Sequence, residues 1–261
     1  MPRRIDLSAD VGEGFGSWTM GDDAAVLDVV TSANVACGFH AGDPRTMEAT
    51  VAACKDRGVA LGAHPAFPDL VGFGRRVVET SADELRTDVL YQLGALSAFA
   101  RVAGTRLVHV SPHGRLGNLV VVDAAYARPL LDAVEAFDPT LVVATQEGVL
   151  AGLARERGLR VAMLGFPDRD HEPDGTLVSR REPGAVLHDP AEIAERAVAL
   201  ATTGRLPARG GGEVEVVADS LVLHGDNAAS VAAARRVRAA LTEAGVDVVP
   251  LAQVLDPPPA G

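Results

Sequence analysis

Histidines and carboxylates recur in this chain just after short apolar runs, where strand ends would bring them together. Asp10 and Glu13 close the run that begins at Ile5, and Asn34-Val35-Ala36-Cys37-Gly38-Phe39 leads to His40. Gly62-Ala63 leads to His64, Ser111-Pro112 to His113, and Ser220–Leu223 to His224-Gly225-Asp226. Asp168-Arg169 follow another such run. A single histidine after a strand is ordinarily a half-buried hydrogen-bonding group. His40, His64, His113 and His224, arriving from different strands beside Asp10 and Glu13, exceed what strand capping requires. With Asp168, these are the candidate catalytic residues.

Imidazole and carboxylate together serve two chemistries. One is a divalent metal that activates water, with Asp10, His40, His64 and His113 as candidate ligands. The other is metal-free acid–base work, with histidine near its ordinary pKa and a carboxylate orienting it. Ligands from separate strands have no fixed interval, so spacing leaves both open. The absence of HExxH and HxxEH excludes a zincin, and the absence of GxSxG argues against a serine nucleophile. Arg75 and Arg76, beside Phe73, match a substrate carboxylate bidentately. Asn34, Ser111, Arg115, Arg169 and Asp226 complete the candidate substrate-binding set. His109, inside a strand, fits a supporting role, and His188 fits a loop hydrogen bond.

The elements that must position these groups alternate regularly. Strands are expected at Ile5–Val11, Asn34–Gly38, Ala60–Ala63, Leu107–Val110, Leu141–Ala144, Arg160–Gly165, Ser220–Leu223 and Val246–Pro250. Helices are expected at Asp22–Thr31, Pro44–Arg57, Ala82–Ala103, Ala124–Ala136, Gln146–Arg157, Ala191–Thr203 and Ala228–Ala244. Asp43 and Pro44 start one of them, and Ser81 with Glu84 forms a capping box for another. Strands separated by such helices must pair in parallel, which gives an α/β barrel or a doubly wound sheet. Pro65–Thr80 and Pro167–Asp189 interrupt the repeat. The second contains Leu177–Ser179 and Ala185–His188 around Glu182-Pro183-Gly184, a pattern for a small hairpin. Gly210–Gly212 reads as a loop tip, and lacking a following Lys-Ser/Thr it is no P-loop.

At 261 residues and 48% hydrophobic, the chain supports one large core. Residues 1–252 are read as one catalytic domain and 253–261 as a disordered tail. A formal net charge of -11 disfavours nonspecific nucleic-acid binding. Cys37 and Cys54 show no zinc spacing and fit buried thiols in a reducing compartment. No secretion signal and no membrane-length apolar run is visible, so a cytoplasmic location is expected.

The blocks Asp6–Gly16, Ser32–Pro44, Gly62–Pro65, Gly72–Arg76, Tyr91–Leu96 and Val222–Asp226 closely resemble the 5-oxoprolinase A-subunit (LamB/YcsF lactam-utilisation) family. The match runs in order from about Ile5 to about Pro250. The resemblance implies a single (β/α)7-type barrel related to the glycoside hydrolase and deacetylase barrels. It also implies ATP-dependent opening of the lactam 5-oxoproline to L-glutamate, in a complex with the B and C subunits. With no Walker motif here, ATP would be held elsewhere or by a partner.

Two blocks depart from the family pattern, at five positions. The usual Lys-Pro-His-Gly-Ala-Leu-Tyr-Asn is here Ser111-Pro112-His113-Gly114-Arg115-Leu116-Gly117-Asn118. The usual Phe-Ala-Asp-Arg-x-Tyr is Phe166-Pro167-Asp168-Arg169-Asp170-His171. Lys55, the only lysine, lies on an expected helix and cannot supply the missing amine. The hypothesis is that Arg115 restores the positive charge and His171 the lost hydroxyl partner. Two alternatives are a metal-dependent amide or acyl hydrolase and a substrate-binding subunit without turnover.

Overall fold

The computed structural model describes residues 3–223 and 228–256. Ten strands and nine helices are assigned among them, in the order β1 (Arg4–Val11), α1 (Asp23–Leu27), β2 (Ser32–Ala36), α2 (Pro44–Arg57), β3 (Ala60–His64), α3 (Ala82–Ala103), β4 (Leu107–Val110), α4 (Gly114–Val122), α5 (Ala124–Phe137), β5 (Val142–Thr145), α6 (Val149–Glu156), β6 (Val161–Gly165), α7 (Pro190–Thr202), β7 (Arg205–Pro207), β8 (Glu213–Glu215), β9 (Ser220–Leu223), α8 (Ala228–Glu243), β10 (Asp247–Val248) and α9 (Leu251–Leu255). Strands β1 to β6 pair in parallel in chain order, and β9 pairs with both β6 and β1. That closes a seven-stranded parallel barrel. Strand β10 lies beside the first residues of β1, Arg4 and Ile5, ahead of the β2 pairing that starts at Ser8.

The period of two along β1 separates two environments. Ile5, Leu7, Ala9 and Val11 join the apolar layer beneath the helices. Asp6, Ser8 and Asp10 alternate with them and face the barrel interior, where they meet polar groups of other strands. Ser32 and Ser220 donate to the two oxygens of Asp6 at 2.7 and 2.5 Å, and Ser8 lies 2.9 Å from Ser220. Higher up, Asn34 Nδ2 donates to Asp10 at 3.0 Å. Polar side chains of β1 to β4 and Ser220 thus line one side of the barrel interior, Val142, Ala144, Ala162 and Leu164 of β5 and β6 pack with Leu251 on the other, and the main apolar core lies between strands and helices.

Local sequence sets most boundaries. Asp43 accepts from Arg45 N and Thr46 N with Pro44 at the first helical position, and Ser81 with Glu84 forms the capping box of α3. Where expectation and structure differ, tertiary contacts explain it. Strand β2 starts at Ser32 and ends before Cys37, because Gly38 N–H turns back to Ala41 O. Helix α4 was not expected, since Gly114, Gly117 and the run Val120–Val122 are weak helix formers; burial of Leu116 and Val120 holds it. The expected hairpin at 177–188 is absent. Instead Arg169 bridges Val186 and His171 bridges Leu177, so the insert is stitched by its first residues rather than to itself. The antiparallel hairpin belongs to β7 and β8, with Gly210–Gly212 at its tip. Residues 253–255, expected to begin the tail, are the end of α9. Among the described residues no helix is long and apolar enough to cross a membrane.

Candidate active site

Four strand ends bring Asp10 and Glu13, His40, His64, and His113 to one place. His113 and His64 form the centre. His64 Nδ1–H donates to Ser111 O at 2.6 Å, and His113 Nε2–H donates to Phe73 O at 2.9 Å. Each ring therefore turns its other nitrogen inward, and His64 Nε2 lies 2.9 Å from His113 Nδ1. Two bare lone pairs would repel at that distance, so a positive centre belongs between them. Asp10 Oδ1 is 3.4 Å from His64 Nε2, and Glu13 Oε1 is 3.6 Å from His113 Nδ1.

The electrostatics follow from this packing. Burial works to raise the Asp10 pKa, but the His64 charge and its hydrogen bond outweigh it and hold the carboxyl well below the usual range. Burial likewise opposes charge on His64, and Asp10 outweighs it, so the His64 pKa is raised. Glu13 moves up because it is buried and faces the Asp10 charge. His40 and His113 are both pushed down to about 3, first by burial and then by His64. One imidazolium at His64, flanked by neutral His40 and His113, is the protonation state these shifts favour.

His40 packs flat on His113, with ring centroids 3.8 Å apart and planes 7° apart. Its Nε2 reaches Glu13 Oε1 at 3.2 Å, and its buried Nδ1 has no partner among the described residues. Phe73 meets both rings edge-on, and Arg75 lies over the Phe73 ring at 5.1 Å. Among the described residues Phe73 is the one non-glycine with positive φ, 53°. That strained backbone aims its carbonyl at His113. Gly74 beside it is equally constrained, since a Cβ there would sit 2.8 Å from His113 and 3.0 Å from His40.

Several sequence candidates sit elsewhere. Asn34 is not exposed to a substrate. It is buried between Asp10 and His109, accepting from His109 Nε2 at 2.8 Å, and so positions Asp10. Ser111 supplies its carbonyl to His64. Arg76 is committed to Asp69, which leaves Arg75 as the guanidinium near Glu13. Arg169 is buried and donates to Ala185 O and Val178 O, so it pins the insert instead of meeting a substrate carboxylate. Asp168 lies near Arg169 and Arg196, where the insert packs on α7. His171 packs on Arg196 at 3.4 Å within the same insert. Arg115 donates its backbone N–H to Gly74 O, and its Nε is buried without an acceptor among the described residues. His224 and Asp226 lie outside the described residues. The Phe73 carbonyl was missed because a backbone acceptor carries no residue-type signal; the only clue is a bulky residue between Gly72 and Gly74.

His109 also explains a glycine. A Cβ on Gly62 would fall 2.0 Å from His109 Nε2, so that ring occupies the space a side chain would need. Gly62→Ala should cost about 1–3 kcal/mol of stability by overpacking. By displacing His109 and hence Asn34 and Asp10, it should also lower turnover by about 100-fold. Urea unfolding and steady-state kinetics on one preparation check both; unchanged turnover would uncouple His109 from the site.

A family model described as the LamB/YcsF family matches residues 5–256. The chain belongs to that family. LamB/YcsF relatives include the 5-oxoprolinase A subunit numbered 3 of Pseudomonas syringae pv. tomato, 49% identical over 251 residues, spanning 96% of this chain and 98% of the relative. The 5-oxoprolinase A subunit of Kocuria rhizophila is 51% identical over 245 residues, spanning 94% and 97%. The solved lactam utilization protein from Thermus thermophilus superposes with a TM-score of 0.91 at 46% identity, covering 94% of this chain and 99% of that one. A T48 deacetylase superposes at 0.51 with 16% identity, over 97% of this chain and 91% of that one, and shares the LamB/YcsF barrel alone.

Proposed function

We propose that this chain is the A subunit of an ATP-dependent 5-oxoprolinase, opening the lactam 5-oxoproline to L-glutamate in the cytoplasm with partner B and C subunits. The observation that carries the chemistry is the inward-facing His64 and His113 pair, with Asp10 and Glu13 within 3.6 Å. In the overall hydrolysis the ring C–N bond breaks, water oxygen joins the carbonyl carbon, and the amide nitrogen gains a proton. Positive charge at His64, beside neutral His113, polarises the carbonyl. Glu13, its pKa raised by burial and by Asp10, takes the proton of water and returns it to nitrogen. Arg75, over the Phe73 ring, holds the substrate carboxylate.

A five-membered lactam is a poor electrophile, which is why ring opening is coupled to ATP. The chain has no GxxxxGK[ST] sequence, so the nucleotide is held without a P-loop here, either elsewhere on the chain or through the partners. The names of the close relatives support the substrate and the subunit role. The acyl-hydrolase alternative rests on shared fold alone.

The test is glutamate release from 5-oxoproline and ATP by the chain reconstituted with its cognate B and C subunits, run beside Ser111→Lys. Turnover by the native chain is expected, with Arg115→Ala at least about 10-fold slower if Arg115 supplies the charge lost at Ser111. Silence from the native chain with activity gained by Ser111→Lys would mean that this chain has left lactam opening. Silence from both would point to another substrate.

A further inference from the structure

We propose that His64 Nε2, His113 Nδ1 and Glu13 Oε1 form a binding site for one divalent first-row transition cation such as Zn²⁺, Mn²⁺ or Co²⁺. The outward nitrogens of His64 and His113 are both fixed as donors to backbone carbonyls, Ser111 O and Phe73 O. That is how ligating histidines are oriented, with the lone pair of the second nitrogen turned to the ion. The two inward nitrogens are 2.9 Å apart, and Glu13 Oε1 is 3.6 Å from His113 Nδ1. Donors about 2.0–2.1 Å from a shared ion lie about 3–3.4 Å apart, so adjustments of about half an ångström suffice. Glu13, His40, His64 and His113 each offer a donor atom within 4.8 Å of the others.

His40 nevertheless stays outside the inner set. Its ring lies flat against His113, 3.8 Å away at 7°, and in-plane lone pairs of parallel rings do not converge on one ion. Its Nε2–H instead holds Glu13 Oε1 at 3.2 Å. Asp10 Oδ1, 3.4 Å from His64 Nε2 and fixed by Asn34, stands at the edge as a fourth donor. Charge favours the ion too. Asp10 and Glu13 as carboxylates carry two negative charges; one proton shared by the histidines balances one, whereas a dication balances both. Two imidazoles and carboxylate suit zinc, manganese, iron or cobalt rather than thiolate-seeking Cu⁺ or the all-oxygen cages of Ca²⁺. Glu13 Oε2 remains for the proton transfer described above.

The site is independent of which lactam or amide is the substrate, so metal uptake tests it directly. Full-length chain stripped with a chelator and titrated with Co²⁺ should take up one equivalent, with visible d–d absorption, and Zn²⁺ should displace it. Metal analysis after gel filtration should find one ion per chain, falling to about a tenth or less in His64→Ala and His113→Ala. His40→Ala should retain the ion with affinity about 10–100-fold weaker, and His188→Ala should bind like the native chain. Should an alanine variant fail to fold, Co²⁺-loaded native chain should show two paramagnetically shifted imidazole N–H resonances, one per ligating histidine. No stoichiometric uptake by the native chain would overturn the proposal and assign the gap to a shared proton. Full uptake by a folded His64→Ala,His113→Ala chain would equally overturn it.

Discussion

His64→Gln should abolish nearly all turnover of the reconstituted enzyme, lowering kcat by about 1,000-fold, while His188→Gln leaves it unchanged. Glutamine keeps the volume and can still donate to Ser111 O, so the barrel mouth retains its shape. What it loses is positive charge. His64 is the residue that depresses Asp10, and it also helps keep His40 and His113 neutral. Without it, Asp10 and Glu13 confront each other uncompensated, and one of them must take a proton. The carbonyl then lies near a neutral carboxyl rather than a cationic centre. His188 is exposed and belongs to the insert, so it reports only general damage. Stopped-time glutamate assays with far-UV circular dichroism on the same samples make the comparison. A folded His64→Gln chain with native kcat would remove His64 from the chemistry and leave Glu13 and Arg75 as the remaining candidates.

The same residues show what the sequence made legible. His40, His64, His113, Asp10 and Glu13 could be grouped in advance because parallel strands deliver their C-terminal ends to one mouth, whatever the spacing between them. Helices α2 and α3 could be bounded to the residue, since Asp43-Pro44, Ser81 with Glu84, and the glycines after them are local chemistry. The misassigned residues are those whose role depends on a long-range partner. Arg76, Arg169 and Asn34 look like substrate groups until Asp69, the insert carbonyls and His109 take up their donors and acceptors. The Phe73 carbonyl was invisible for the complementary reason, because its function lies in backbone direction. Glu13 could be grouped with the histidines in advance, but its particular contacts with His40 and His113 depend on how the loop after β1 lies against those rings.

Asp6, on the barrel floor, should give the chain a pH-dependent stability that Asp6→Asn removes. The carboxyl is fully buried. Burial raises its pKa from 3.8 to about 6, against the hydrogen bonds from Ser220, Ser32 and Thr31 that favour the charged form. A raised folded-state value means that the folded chain holds the proton more tightly than the unfolded one. The stabilising contribution is therefore complete below about pH 3.8 and is lost as pH rises through about 6. A shift of about two units corresponds to about 3 kcal/mol over the whole range, and about 2 kcal/mol falls between pH 4.5 and 7. Asparagine has no such proton, and its amide can still accept from Ser32 while donating to a reoriented Ser220 hydroxyl. Other groups also titrate in this window, so the informative quantity is the native-minus-variant difference in unfolding free energy from urea titrations at both pH values. That difference should move by about 2 kcal/mol in favour of the native chain on going from pH 7 to 4.5. Parallel curves would mean that the three hydroxyls keep Asp6 charged throughout, and that the floor of the barrel tolerates an anion in both conditions.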